Sequence, residues 1–69
     1  MNLKVKKQVG RKIRKLRKQR GMTQEQLAHE ASLERSYMGY VERGQANPSL
    51  EKLSKIAKTL GINIRDLFQ

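Results

Sequence analysis

The chain has no cysteine and no tryptophan, a single proline and only three aromatic residues, Tyr37, Tyr40 and Phe68. The missing cysteines exclude disulfides and thiolate metal centres, and they fit a reducing compartment. One histidine, His29, stands without a second ligand of the right kind nearby, so no metal site is expected. No apolar run approaches the roughly 20 residues that a membrane span requires. The N-terminal M-N-L-K-V-K-K-Q-V-G is basic but lacks a following apolar stretch, which excludes a secretory signal. There is no phosphate-cradling glycine loop and no paired serine and histidine to act as nucleophile and base. The expectation is a soluble, cytoplasmic protein that is not an enzyme and uses no cofactor.

Acidic residues are also missing from residues 1–20, which hold ten cations: Lys4, Lys6, Lys7, Arg11, Lys12, Arg14, Lys15, Arg17, Lys18 and Arg20. Residues 21–69 carry six of each sign, so the whole formal charge of +10 belongs to the first segment. Solubility needs far less than this, and the charge predicts a polyanionic partner.

What is present is helical patterning. Sixty-nine residues allow one domain with a small core. Val5, Val9, Ile13 and Leu16 form a narrow stripe on a helix from about Lys4 to Gln19, with residues 1–8 a basic N-terminal extension of it. Gly21 ends that helix. Thr23 and Gln26 make a capping-box pattern for a second helix reaching about Ala31. A turn through Ser32 and Leu33 leads to a third helix from about Arg35 to Arg43, closed by Gly44. Gln45 to Pro48 is a loop. Ser49 caps a fourth helix with Leu50, Leu53, Ile56, Ala57 and Leu60 on its buried face, and Gly61 stops it. Asn63 caps a short fifth helix through Ile64, Leu67 and Phe68. The architecture expected is all-α, five helices in a single domain over 1–69.

The informative segment is T-Q-E-Q-L-A-H-E-A-S-L-E-R-S-Y-M-G-Y-V-E-R-G, from Thr23 to Gly44. Leu27, Ala28, Ala31, Leu33, Met38 and Val41 give helical spacing, a break near Ser32, then helical spacing again. Two short helices sharing one core, the second with a polar outer face, have the shape that enters a DNA major groove. The order basic helix, G-M-T-Q-E-Q-L-A, S-Y-M-G-Y-V-E-R-G, N-P-S-L-E-K-L-S-K-I-A-K-T-L-G-I and D-L-F resembles the lambda-repressor-like (XRE-type) helix-turn-helix family of phage and bacterial regulators. The resemblance covers roughly Val9 to Phe68.

It implies a compact five-helix domain that binds double-stranded operator DNA, usually as a homodimer on a pseudo-palindromic site, with the third helix (about 35–43) as the recognition helix. A nucleoid-associated bacterial or phage regulator of repressor or restriction-modification controller type follows. Arg35, Ser36 and Tyr40 match base-facing positions: Arg35 suits guanine O6 and N7, Ser36 reads either kind of edge or a phosphate, and Tyr40 packs on a thymine methyl or bonds a phosphate. Gln24 matches the family glutamine that contacts a phosphate at a helix N-terminus. Tyr37, Arg43, Gln45 and Asn47 match backbone-contacting positions, with Arg14 and Lys18 adding phosphate contacts from the first helix. Arg17 and Glu42 match the family's structural ion pair. Ile64, Leu67 and Phe68 are the candidate dimer contacts, although Phe68 has the alternative of closing the core.

Three positions depart from the family pattern. Ser32 stands where glycine is common in the turn, Glu34 is a weak cap for the recognition helix, and Gly39 removes a side chain from its middle. Parts of the sequence fit other classes. The first helix alone looks like a basic membrane or calmodulin-type segment but lacks Trp and Phe. RNA binding lacks a stacking platform. An antitoxin-like module that covers a protein partner and also binds DNA is the alternative reading. With the sequence ending just after D-L-F, regulation by concentration, dimerisation or a partner is expected, without a small-molecule effector.

Overall fold

The computed structural model describes all 69 residues. Four α-helices follow in order, α1 (Leu3–Gln19), α2 (Gln24–Glu30), α3 (Arg35–Glu42) and α4 (Leu50–Leu60), and a 3-10 turn spans Ile64–Phe68. The expected fifth α-helix is therefore a 3-10 turn. Five residues allow few i to i−4 bonds, and the tighter pattern is set at once by the Asp66 N–H donating to the Asn63 carbonyl at 3.0 Å. In return the Asp66 carboxylate accepts from the Asn63 N–H at 3.3 Å.

Each helix begins and ends where local chemistry dictates. Asn2 caps α1, its Oδ1 accepting from the Val5 N–H at 2.8 Å, so the helix starts one residue ahead of expectation and residues 3–8 are its first turns. Ser49 caps α4 through Lys52, and Gly61 ends it at φ 74°. No helix is long and apolar enough to cross a membrane.

Val9, Ile13, Leu27, Ala28, Ala31, Met38, Val41, Leu53, Ile56, Ala57, Leu60 and Leu67 form one buried cluster to which every helix contributes. Leu50 departs from the expected buried face of α4 and is 71% exposed. It shares the apolar stripe by angle but occupies the first helical position, where the stripe outruns its packing partners. Leu67 departs in the other direction. It is completely buried in its own domain, which removes it from the expected dimer contacts.

Two close approaches fix α1 against α3. A Cβ on Gly10 would lie 2.5 Å from the carbonyl oxygens of both Val41 and Glu42. Only a glycine lets these backbones meet. One turn earlier on α1, Lys7 packs on Gly44, where an added Cβ would lie 2.7 Å from the Lys7 Cγ.

Candidate nucleic-acid interface

The placement of α3 starts with the start of α2. Thr23 Oγ1 accepts from the Gln26 N–H at 3.1 Å, while the Thr23 N–H donates to Gln26 Oε1 at 2.8 Å. This reciprocal cap fixes the first turn of α2 and with it Gln24. The chain then reverses at Ser32, whose φ of 58° makes it the one non-glycine residue in the left-handed region. The Leu33 N–H donating to the Ala28 carbonyl at 2.8 Å closes the turn.

Beyond the turn α3 is clamped along one side. Met38 and Val41 are in the core, and Tyr37 and Leu33 pack against it half-buried. Arg35, Ser36, Tyr40 and Arg43 are exposed along the other side. Glu34 precedes α3 as its N-cap without a side-chain capping bond, as its chemistry suggested.

An ion pair at the end of α3 sets the inner edge of this surface. Arg17 Nε donates to Glu42 Oε2 at 2.7 Å and a second guanidinium nitrogen donates to Oε1 at 3.0 Å. Arg17 also donates to the Met22 carbonyl at 2.8 Å. Its donors are thus committed inside the protein, and it adds no surface cation to bind an anion. Gln24 Nε2 donates to the same Glu42 Oε1 at 3.0 Å, so the ion pair orients the glutamine. The second amide hydrogen and the carbonyl oxygen of Gln24 remain available.

Gly39 is buried beneath this arrangement, under Arg43 and Gln24. A Cβ there would come 3.0 Å from an Arg43 guanidinium nitrogen and 3.6 Å from Gln24 Oε1. The glycine makes room for these two side chains and so gathers them over the middle of α3. Arg43 lies 5.1 Å from the centre of the Tyr40 ring, and its Nε donates to Gln45 Oε1 at 2.9 Å. Tyr40, Arg43 and Gln45 therefore form a connected polar edge, with Gln24 beside it across Gly39. Arg35 lines the same shallow recess as Thr23 and Gln24.

The other candidates are more dispersed. Tyr37 is held by the Lys52 ammonium 4.5 Å above its ring, and burial raises its phenol pKa above the usual 10.0. Lys52 was not singled out from sequence, although the Ser49 cap already placed it in the first turn of α4. It shares a recess with Ser32, Leu33, Glu34 and Tyr37. Asn47 is exposed in the loop before α4, and Arg14 and Lys18 are exposed on α1. Ile64 is half-buried and Phe68 is 37% exposed, both in the last residues of the chain.

Comparison with known proteins bears on this geometry. A helix-turn-helix family model (HTH_3) matches residues 13–67. The immunity repressor protein of Bacillus phage phi105 is 48% identical over 56 residues, covering 81% of this chain and 39% of the repressor. Control protein C.BamHI of Bacillus amyloliquefaciens is 44% identical over 59 residues, covering 84% of this chain and 73% of that protein. The crystal structure of the restriction-modification controller protein C.AhdI from Aeromonas hydrophila superposes with a TM-score of 0.89 at 46% identity, covering 91% of this chain and 96% of C.AhdI. The chain thus spans about two fifths of the phage repressor and nearly all of the controller. On the match to most of its length, the chain belongs to the lambda-repressor-like, XRE-type helix-turn-helix family of DNA-binding transcriptional regulators.

Proposed function

We propose that the chain regulates transcription as a repressor or restriction-modification controller, laying α3 in the major groove of a pseudo-palindromic operator as a homodimer. The observation that carries this reading is the two-sidedness of α3. Met38 and Val41 anchor it in the core while Arg35, Ser36 and Tyr40 project outward from a polar edge made by Gln24, Arg43 and Gln45.

In this reading Arg35 bonds a guanine edge, Ser36 and Tyr40 contact neighbouring bases, and the polar edge holds phosphates on either side. Tyr37, Asn47, Arg14 and Lys18 add backbone contacts. The buried ion pair contributes by fixing Gln24, whose remaining amide hydrogen is free to meet an anion at the N-terminus of α2. Ile64 and Phe68 supply the contact between protomers. The names of the controller relatives and of the phage repressor support the regulatory class.

Selection of binding sites from random duplex DNA, at low and at physiological salt, tests the proposal. A short palindrome recovered at both salts is the expected result. Binding that is merely salt-sensitive, with no consensus, would mean that charge rather than α3 does the work and would overturn it.

A further inference from the structure

The ten cations of residues 1–20 do not all face the same way. Arg17 is buried in its ion pair, and Arg20 reaches the Leu60 carbonyl at 3.4 Å, capping the end of α4. Gly10 and Arg17 mark the edge of α1 that meets α3. Gln8 marks the other edge, because its Nε2 donates to the Phe68 carbonyl at 3.1 Å. With about 100° of rotation per residue, the Gly10 and Arg17 edge and the Gln8 and Lys12 edge stand roughly 170° apart on α1. Arg14 leans toward the α3 edge on this count, and Lys18 stands about midway. Lys15 leans toward the Gln8 edge, and Arg11 lies between, about 20° from Lys18.

The contacts group Arg11 with Lys15. Gln8, Arg11, Lys12 and Lys15 line one shallow recess together with Gln69. Arg11 and Lys15 are exposed, Lys12 is half-buried, and neither of the two ion pairs in the structure involves any of the three. Asp66, close in sequence to Gln69, is engaged with the Asn63 backbone. Three unpaired cations thus gather in one recess on the Gln8 side of α1, opposite the edge that meets α3.

We infer that this flank is a second polyanion site that holds a separate segment of duplex DNA, so that one molecule on its operator captures a neighbouring duplex. The inference rests on the proposed placement of the operator on α3. A second copy of this chain fits this recess poorly, since its lining is three cations and two amides with no apolar side chain to bury. Single strands fit poorly as well. One nearby aromatic residue, Phe68, is no stacking platform, whereas cations and amides match phosphate oxygens.

The test uses the full chain on a bead-bound operator duplex taken from the site selection, with a labelled non-operator duplex in solution. Wild type should retain the labelled duplex at low salt and release it as salt rises. Arg11→Glu/Lys15→Glu should lower capture at least tenfold while operator affinity stays within about twofold and the circular dichroism melt is unchanged. If charge reversal unfolds the chain, Arg11→Gln/Lys15→Gln should still reduce capture and its salt slope. Capture that survives both variants would come from the second recognition helix of a dimer and would overturn the inference. So would the absence of capture by wild type, which would leave the flank to an acidic protein surface. Equal loss of operator binding and capture would place Arg11 and Lys15 in the first interface. Failure to bind any operator would instead remove the proposed function, and capture between two random duplexes, compared in wild type and Arg11→Glu/Lys15→Glu, would then decide the flank alone.

Discussion

Arg17 of α1 and Glu42 of α3 are joined by two parallel hydrogen bonds, at 2.7 and 3.0 Å, with their side chains only 10% and 2% exposed. A pair so placed is harmful to break from one side, because the surviving charge stays in the interior. Arg17→Met and Glu42→Leu should each destabilise by about 3 to 5 kcal/mol, and the double variant should lose much less than their sum. Urea denaturation of the four proteins measures this coupling. Single variants within about 1 kcal/mol of wild type would show that the pair is solvated in practice. Loss of Glu42 also frees Gln24, so Glu42→Leu should weaken operator and random DNA alike.

Gly10 makes a second, sharper demand at the same crossing. Alanine there gains about 1 kcal/mol of helix propensity. Its Cβ would nevertheless meet two carbonyl oxygens at 2.5 Å, which forces the helices apart. The net effect of Gly10→Ala should be destabilisation of about 1 to 3 kcal/mol, the usual range for overpacking. A thermal melt at or above that of wild type would mean that α1 can slide without cost.

Much of this was legible from the residue order, and the exceptions have physical causes. Capping chemistry is local, so Thr23, Gln26 and Ser49 announced helix starts correctly. The core stripes of α1 and α3 were legible from periodicity. Gly10 was silent because a helix crossing is a property of two segments, and nothing in residues 1–20 tells which backbone will approach. Leu50 and Leu67 misled for a related reason. Periodicity gives the angle of a side chain about its helix, whereas burial also depends on how far along that helix the neighbours extend. In the candidate interface, the gathering of Gln24 and Arg43 over Gly39 joins two segments, α2 and α3, and was equally hidden.

The turn between α2 and α3 holds two correctable weaknesses. Ser32 at φ 58° bears a steric cost that glycine avoids, on the order of 1 kcal/mol. Glu34 makes no side-chain cap bond, and aspartate or serine caps typically contribute ~1 kcal/mol. Ser32→Gly should gain a few tenths of a kcal/mol after the entropy that glycine adds to the unfolded chain, and Glu34→Ser should gain about 0.5 to 1 kcal/mol. Chemical denaturation reads both. A destabilised Glu34→Ser would indicate that the carboxylate interacts with the Lys52 recess more strongly than a hydroxyl cap replaces.

Arg35 and the pair Arg14 and Lys18 should fail in different ways. Arg35→Ala removes a guanidinium suited to a guanine edge, so preference at one base position should fall by about 1 to 3 kcal/mol. Arg14→Ala and Lys18→Ala should weaken all sequences alike and reduce the salt slope by about 1 each. Titrations of operator and scrambled duplex at several salt concentrations separate the two patterns. Equal losses on both duplexes for Arg35→Ala would strike it from the base-reading residues.

Leu67 and Phe68 are neighbours with opposite environments, the first fully buried and the second 37% exposed. Leu67→Ala should therefore cost about 2 to 5 kcal/mol of stability through the cavity it leaves. Phe68→Ala removes a ring that is only partly covered, so its effect on monomer stability should be smaller. If Phe68 and Ile64 meet a second protomer, Phe68→Ala should raise the dimer dissociation constant at least tenfold in sedimentation equilibrium while the monomer keeps its helical circular dichroism. Should Phe68→Ala instead unfold the chain and leave no concentration dependence to measure, the ring closes the core. A symmetric footprint would then need another contact surface. With the dimer intact, half-sites should lie about 10 base pairs, or ~34 Å, apart on the operator. A footprint without two-fold symmetry, from wild type and Phe68→Ala alike, would count against the paired geometry itself.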